Sequence, residues 1–401
     1  MRLAVELYGT RLGQLVGTER DFDLAVSSEA LQRFGVNSTV WSLIAPLGPH
    51  PRRDLAQRRR NWFRELLPEG DQRTFMFANA GLRDHETLGF LARYGRDVAG
   101  ALQIWDLDDP TEPRTPKLRP VTESTVGSLL LDQSNTPLAN DPCLGKSSLG
   151  GVQPKIVLTK TESGWAQALG GYPTTHILKP QLEGPYRSVI FDEEYGNRLA
   201  RRINLARYFT EIRQFGTTSA LVVERFDRES GERIHQEDFN QILGASGNEK
   251  YQELGGRVSL RRIASTLARF ANPREARALA RMVVFATAIG NLDMHAKNIS
   301  VLHPVSGPPR LAPAYDNVPQ LHMPTDGRMA LSINGKYLHR DITGRDLGLE
   351  ITSWGVRNAD SLVQAELAEI AAAAEQETPL PTAADGLRDS ILATTRRLAT
   401  E

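Results

Sequence analysis

Cysteine is almost missing from the 401 residues: Cys143 stands alone, which excludes an intramolecular disulfide and any zinc site built on cysteine. A single thiol fits a reducing compartment. Cys143 has no neighbouring histidine or helix start to activate it and reads as filler in a loop. Net charge is missing too. Forty-eight basic residues meet 48 acidic ones, so the chain does not advertise itself as a nucleic-acid binder, although a local patch can still act. No run approaches the ~20 apolar residues that cross a bilayer. The opening MRLAVELYGTRLGQLVG carries charges inside its apolar run and lacks a signal-peptide core. No membrane role is expected, and the expected location is the cytoplasm. No internal repeat is visible.

What is present is a globular composition, 40% hydrophobic and 24% charged, in a chain too long for one ordinary core. Two or three packed units are expected. Leu3, Val5 and Leu7 alternate before Gly9, and Leu12 and Leu15 lead to Gly17, which reads as a short hairpin. Helical stretches follow near 61–67 and 86–94. From Asp106 to Cys143 the prolines 110, 113, 116, 120, 137 and 142 mark a connector, with one helix or strand near 125–131. Strand texture then appears in KIVLTK, THILKP and ALVVERFDR. Between the last two, Ile190, Phe191, Tyr195, Leu199 and Ile203 recur at helical spacing. Beyond Gln236 the pattern is almost entirely helical: about 260–270, a long apolar helix ending at a Gly290 cap, and 362–374.

After that long helix stands GNLDMHAKN. Asp293 and Asn298 are five apart, the interval between the catalytic aspartate and the metal-binding asparagine of a kinase catalytic loop. One carboxylate must accept a hydrogen bond from the attacking hydroxyl, while an amide oxygen a turn away holds the cation bridging the phosphates. Lys297, between them, can offset charge on the transferred group. Turn chemistry explains an isolated Asp and Asn equally well. Asp316, after the strand pair ISVLH and RLAPAYD, stands where a kinase keeps its second oxygen ligand for a hard cation. Upstream, Lys179 ends a strand as a phosphate-anchoring lysine does. Glu194 on the next helix is its expected partner, with Glu193 the alternative. The loop from Ser148 to Lys155 contains Gly150 and Gly151, whose bare backbone lets N–H groups approach phosphates. Each element alone is weak. Their order is that of a kinase.

The residues resemble one family, the HipA-type serine/threonine kinase toxins of bacterial toxin–antitoxin modules. The likeness runs through ELYGTRLGQLVG, LLPEG, GRDVAGALQI, SSLGGVQPKIVL, THILKP, DEEYGNRLARRI, VVERFDR, IHQEDFNQILG, KYQELGG, GNLDMHAKNISVL, LAPAYDNVP and MALSINGKY. It implies an α+β, protein-kinase-like bilobal fold with an N-terminal β-containing subdomain and a helical C-lobe. The corresponding units are 1–105, 106–226 for connector and N-lobe, and 227–401. It also implies ATP and Mg2+ as cofactors. Asp293 resembles the general base, and Asn298 and Asp316 the metal ligands. Gly150, Gly151, Val152, Gln153, Lys155 and Lys179 would hold phosphates, with His295 and Lys297 beside them. Glu224, Arg225 and Phe226 would be the hinge facing adenine, and Tyr315 would flank the nucleotide. Ser148 stands where the family autophosphorylates and inactivates itself, with Ser147 the alternative. Expected partners are a small DNA-binding, HipB-like antitoxin, DNA only through it, and a protein substrate such as an aminoacyl-tRNA synthetase. Pro154 departs from the acidic residue frequent in the family's loop. A small-molecule kinase and a catalytically weak co-repressor module are the competing readings. The arginine-rich segment 52–64 could touch DNA or an acidic protein, although a solvated helix face is the plainer reading.

Overall fold

A computed structural model describes every residue except Arg114, Ser230 and Glu401. The N-terminal hairpin forms because Tyr8 and Gly9 both take positive φ, 53° and 73°. Two such residues make the turn whose twist matches antiparallel strands. Leu3–Leu7 and Thr10–Gly17 pair across it and grow into a four-stranded sheet with Phe22–Val26 on one edge and Gln103–Asp106 on the other. Leu3, Val5, Leu7, Leu12 and Leu15 are buried, with Trp41, Trp62 and Phe63 packed into the same core.

The arginine-rich segment is the helix Ala56–Arg64, and it is not simply a solvated face. Arg59 is buried and makes two 2.6 Å bonds to Asp23, while Arg60 pairs with Asp21 at 2.9 Å. The helix stops before Pro68, and the turn Leu66–Gly70 leads into a second helix, Gly70–Asn79, that the sequence pattern did not announce.

The second sheet is six-stranded and antiparallel throughout, in the order Lys117–Val121, Gly164–Leu169, Ile156–Thr161, His176–Pro180, Thr218–Glu224, Thr210–Phe215. The connector thus supplies an edge strand, where Pro120 is tolerated, and the helix Glu123–Leu131. The helix Val189–Arg202 packs on this sheet.

The remaining unit is built around Pro273–Ile289, which begins with Asn272 capping the Arg274 amide and ends at Gly290 in the left-handed region. Leu260–Phe270 lies against it as expected, and Ala359–Gln376 and Leu387–Thr400 complete the bundle. The expectation of nearly all helix beyond Gln236 is too simple. Arg328–Ile333 and Lys336–Leu338 form a hairpin through Asn334 and Gly335, both at positive φ. Asn-Gly between apolar runs was the signal.

Candidate functional site

A cleft of about 1200 Å³ is lined by the loop Gly150–Lys155, the end of the strand at Lys179, the hinge Glu224–Phe226, and Asp293, His295, Asn298 and Asp316. At its centre the buried Lys179 ammonium donates to both oxygens of Glu193, at 2.8 and 2.9 Å, and to Asp316 Oδ1 at 2.7 Å. Burial alone would favour losing its proton, but Asp316 and Glu193 reverse that and hold the pKa above the ordinary lysine value. Burial likewise pushes Asp316 up, and Lys179 more than offsets it, holding the carboxyl at about 2.

The expected partner, Glu194, is not the partner. It pairs with Arg198 one turn along, at 3.1 Å. Glu193, Gly196 and Asn197 share the face that meets the Asp316–Asn317 backbone. A Cβ at Gly196 would overlap the Asn317 carbonyl oxygen, and Asn197 Oδ1 accepts from the Asn317 amide side chain at 2.9 Å. Only glycine permits that approach, and it brings Glu193 to Lys179.

The five-residue interval has a local cause. Asn298 Nδ2 donates to the Asp293 carbonyl at 2.9 Å and reaches Asp316 Oδ2 at 3.3 Å, closing the loop on itself. Asp293 N donates to Asn291 Oδ1 at 3.1 Å, and Asn291 Nδ2 to the Asp316 carbonyl at 3.1 Å. Asp316 has φ of 56°, a left-handed conformation that costs a non-glycine residue something and is common at sites of chemistry. The Asp293 side chain is 43% exposed toward the cleft. Partial desolvation, helped by the Asp316 charge, raises its pKa to about 6, while a 3.0 Å hydrogen bond from Tyr251 Oη opposes the rise. His295 is buried and held neutral, at about 3, by burial and the nearby Lys250.

Gly151 has φ of 94°, and a Cβ there would lie 2.5 Å from Lys155 Nζ, which itself donates to the Gly150 carbonyl at 2.7 Å. Burial and neighbouring Lys179 lower Lys155 to about 8. Gln153 Nε2 and His295 Nδ1 are buried without hydrogen-bond partners. These orphaned polar atoms, the glycine cradle and the oxygens of Asn298 and Asp316 fit a nucleoside triphosphate with a divalent cation. Among the described residues no three His, Cys, Asp or Glu side chains gather as a closed metal cage. A hard cation held by one carboxylate and one amide completes its shell from phosphate and water.

At the hinge, the Glu224 amide donates to the Phe209 carbonyl and the Arg225 amide to the Thr175 carbonyl, both at 2.9 Å. The Arg225 guanidinium turns away into a buried cluster with Asp227, Thr174 and the Val98 carbonyl. Among the described residues, Phe226 supplies the hinge amide that is left without a partner. Its ring lies 5.2 Å from that of Tyr315, making one wall. Ser148 is 0% exposed, its hydroxyl donating to the Leu66 carbonyl at 2.9 Å, and Ser147 Oγ donates to Asp97 Oδ2 at 3.1 Å. Neither serine lines the cleft.

Lys297 differs from expectation. Rather than standing free beside the phosphates, its ammonium contacts Glu65 Oε2 at 3.1 Å and Glu69 Oε1 at 2.6 Å. Glu69 Oε2 also meets Lys250 Nζ at 2.6 Å. Glu65, Glu69, Lys250 and Tyr251 escaped the sequence reading because glutamate in a turn carries no chemical signature. Glu69 lies in LLPEG, and Lys250 and Tyr251 in KYQELGG, blocks that carry only the family resemblance; Glu65 lies in no such block. Asp238, which burial raises to about 7, caps a short helix at the same end of the cleft.

The HipA-like C-terminal domain matches residues 147–378, and the HipA N-terminal domain matches residues 3–105. Y4mE of Sinorhizobium fredii, whose name marks it as a candidate kinase, is 33% identical over 274 residues, 64% of this chain and 63% of its own. The serine/threonine-protein kinase toxin HipA of Shewanella oneidensis is 29% identical over 290 residues, 68% of this chain and 66% of its own. The chain therefore spans a little under two thirds of these relatives' length. The solved complex of Shewanella oneidensis HipA, HipB and operator DNA contains a chain similar in fold, with a TM-score of 0.79 at 24% identity, covering 99% of this chain and 96% of that one.

Proposed function

Because this chain belongs to the HipA family, we propose that it is an ATP- and Mg2+-dependent protein kinase acting on a serine or threonine hydroxyl. The observation that carries the reading is the Lys179 ammonium shared by Glu193 and Asp316, with Asp293 facing the same cleft. In this role Lys155, Lys179 and the loop amides grip the phosphates, and Phe226 N–H with the Tyr315 ring receives the base. Asn298 and Asp316 would hold the cation, which would supply positive charge to offset that of the phosphates. Asp293 accepts the proton of the acceptor hydroxyl. A carboxyl near 6 is ionised at neutral pH yet basic enough to take part in proton transfer. Neutral His295 can donate or accept beside it without adding charge.

Ser148, with Ser147 as the alternative, is the proposed autophosphorylation site, and modification there would switch the enzyme off. The hydroxyl is sealed under Leu66, so the loop must leave its seat first, and a phosphate could not return to that pocket. For partners, the solved relative was captured with HipB and operator DNA. By extension we assign this chain a small DNA-binding antitoxin, contact with DNA through it, and a substrate in translation such as an aminoacyl-tRNA synthetase.

Labelled ATP incubated with the protein, Mg2+ and a cell lysate tests the whole. One labelled protein band that vanishes in Asp293→Asn supports the kinase. A labelled small molecule would favour a metabolite kinase, and no transfer would sink the enzyme reading. Phosphopeptide mapping of the 146–155 segment decides between the serines, and co-purification with a neighbouring gene product tests the antitoxin.

A further inference from the structure

The turn Leu66–Gly70 belongs to the N-terminal unit, yet it reaches the phosphate end of the cleft. Its Leu66 carbonyl accepts the Ser148 hydroxyl at 2.9 Å. Its Gly70 lies so near the loop that a Cβ there would come within 3.1 Å of Val152 Cγ1. Its Glu69 sits between two ammoniums, 2.6 Å from Lys297 and 2.6 Å from Lys250. The neighbouring carboxylate, Glu65, is fixed by the fold: it accepts from Asn240 Nδ2 at 2.9 Å and the Gly247 amide at 3.0 Å. Glu69 has no such anchor, since among the described residues its carboxylate meets only the two lysines. It lines the same cleft as Lys155, Asp293 and His295, so it stands among the groups that would surround a terminal phosphoryl group.

Lys297 reaches the glycine loop itself, its Nζ 3.7 Å from where a Cβ on Gly150 would stand. Lys297 beside the loop and Lys250 on the other side of Glu69 are two cations facing one position in the cleft, an anion site that is here filled by the protein's own carboxylate. A carboxylate and a phosphoryl group compete for the same two ammonium charges, and two anions cannot share them. We propose that Glu69 is an exchangeable stand-in for the terminal phosphoryl group of a nucleoside triphosphate. The Lys250–Lys297 pair holds Glu69 in the nucleotide-free and diphosphate-bound protein, and holds the phosphoryl group when a triphosphate enters. The exchange pushes the turn off the loop and releases the Ser148 hydroxyl from Leu66. Lys250 and Glu69 are then specificity-determining residues for triphosphate against diphosphate. No covalent bond is made or broken in the exchange. The proposal rests on the nucleotide reading of the cleft given above.

The test is calorimetric binding of ADP and of a non-hydrolysable ATP analogue, with Mg2+, to the full chain and to the variants Glu69→Gln and Lys250→Met. Glu69→Gln removes the competitor and is expected to raise the ratio of analogue to ADP affinity by roughly tenfold. Lys250→Met removes half the site and is expected to lower that ratio, with ADP affinity little changed. A merely structural role for the turn moves both variants in the same direction and both nucleotides alike. In hydrogen exchange of the unaltered protein, amides 146–152 are expected to lose protection with the analogue and keep it with ADP. Equal effects on the two nucleotides, or no loss of protection, overturn the proposal while leaving the nucleotide site standing. Failure of either nucleotide to bind the unaltered protein overturns both.

Discussion

Replacing Glu193 by glutamine asks how much of the cleft depends on one carboxylate. The Lys179 and Glu193 side chains are 9% and 2% exposed, so solvent cannot replace a lost partner. Breaking a buried pair by removing one charge costs about 3–5 kcal/mol, and the amide keeps one acceptor, so about 3 kcal/mol is expected. Lys179 stays charged because Asp316 remains 2.7 Å away. It is then drawn wholly onto Asp316, the proposed cation ligand. If the lost positioning appears in the transition state, about 3 kcal/mol corresponds to a fall of roughly 100-fold in kcat/KM. Glu194→Gln is the matched control. Its partner Arg198 keeps Glu377 at 2.9 Å and the Thr378 carbonyl at 3.0 Å, and the amide still accepts, so a smaller loss of about 1–2 kcal/mol and little change in transfer are expected. Phosphotransfer from labelled ATP and denaturant unfolding are measured on both. Equal losses, or a greater loss for Glu194→Gln, would refute the geometric reasoning that divides the two faces of this helix.

Four further outcomes can be checked. In pH profiles, kcat/KM is expected to fall as pH drops through about 6, because the raised Asp293 pKa leaves the proposed base protonated below that point. Tyr251→Phe deletes a hydrogen bond that favours the ionised form, so the acid limb should move to higher pH; an unmoved limb assigns it to another group. Gly196→Ala forces a methyl into the Asn317 carbonyl, and a loss of at least about 2 kcal/mol together with most activity is expected in unfolding and transfer assays. Arg59→Ala breaks a buried, doubly bonded pair and should cost about 2–3 kcal/mol, whereas Arg53→Ala, on the exposed side, should stay within about 0.5 kcal/mol.

Much of this could be read from the chain because local chemistry announces itself. Leu260–Phe270 and the Gly290 cap follow from periodicity and a residue that tolerates positive φ. The Asp293–Asn298 interval is legible because the loop it closes is only five residues long. What escaped depends on distant packing. Glu193 and Glu194 are adjacent, equally charged and on one helix, and the choice between them is made by Asn317, over a hundred residues away. The pairing of Glu69 with Lys250 and Lys297 likewise joins segments about 180 and 230 residues apart, with no periodicity to connect them. Arg225 shows what spacing does not reveal: its amide is already bonded to the Thr175 carbonyl, and its side chain ties the segment to Asp227.

The left-handed backbone at Asp316 also constrains what drift can do to this chain. Asparagine, aspartate and glycine enter that region most readily, whereas β-branched and bulky residues resist it. A descendant that abandoned the cation without losing its fold would pass through Asp316→Asn or Asp316→Gly rather than through valine or isoleucine. On the proposed reading, Asp316→Asn in an otherwise intact copy of this sequence would mark a silenced kinase, and at the bench the same substitution removes the charge while keeping a residue that tolerates the left-handed backbone.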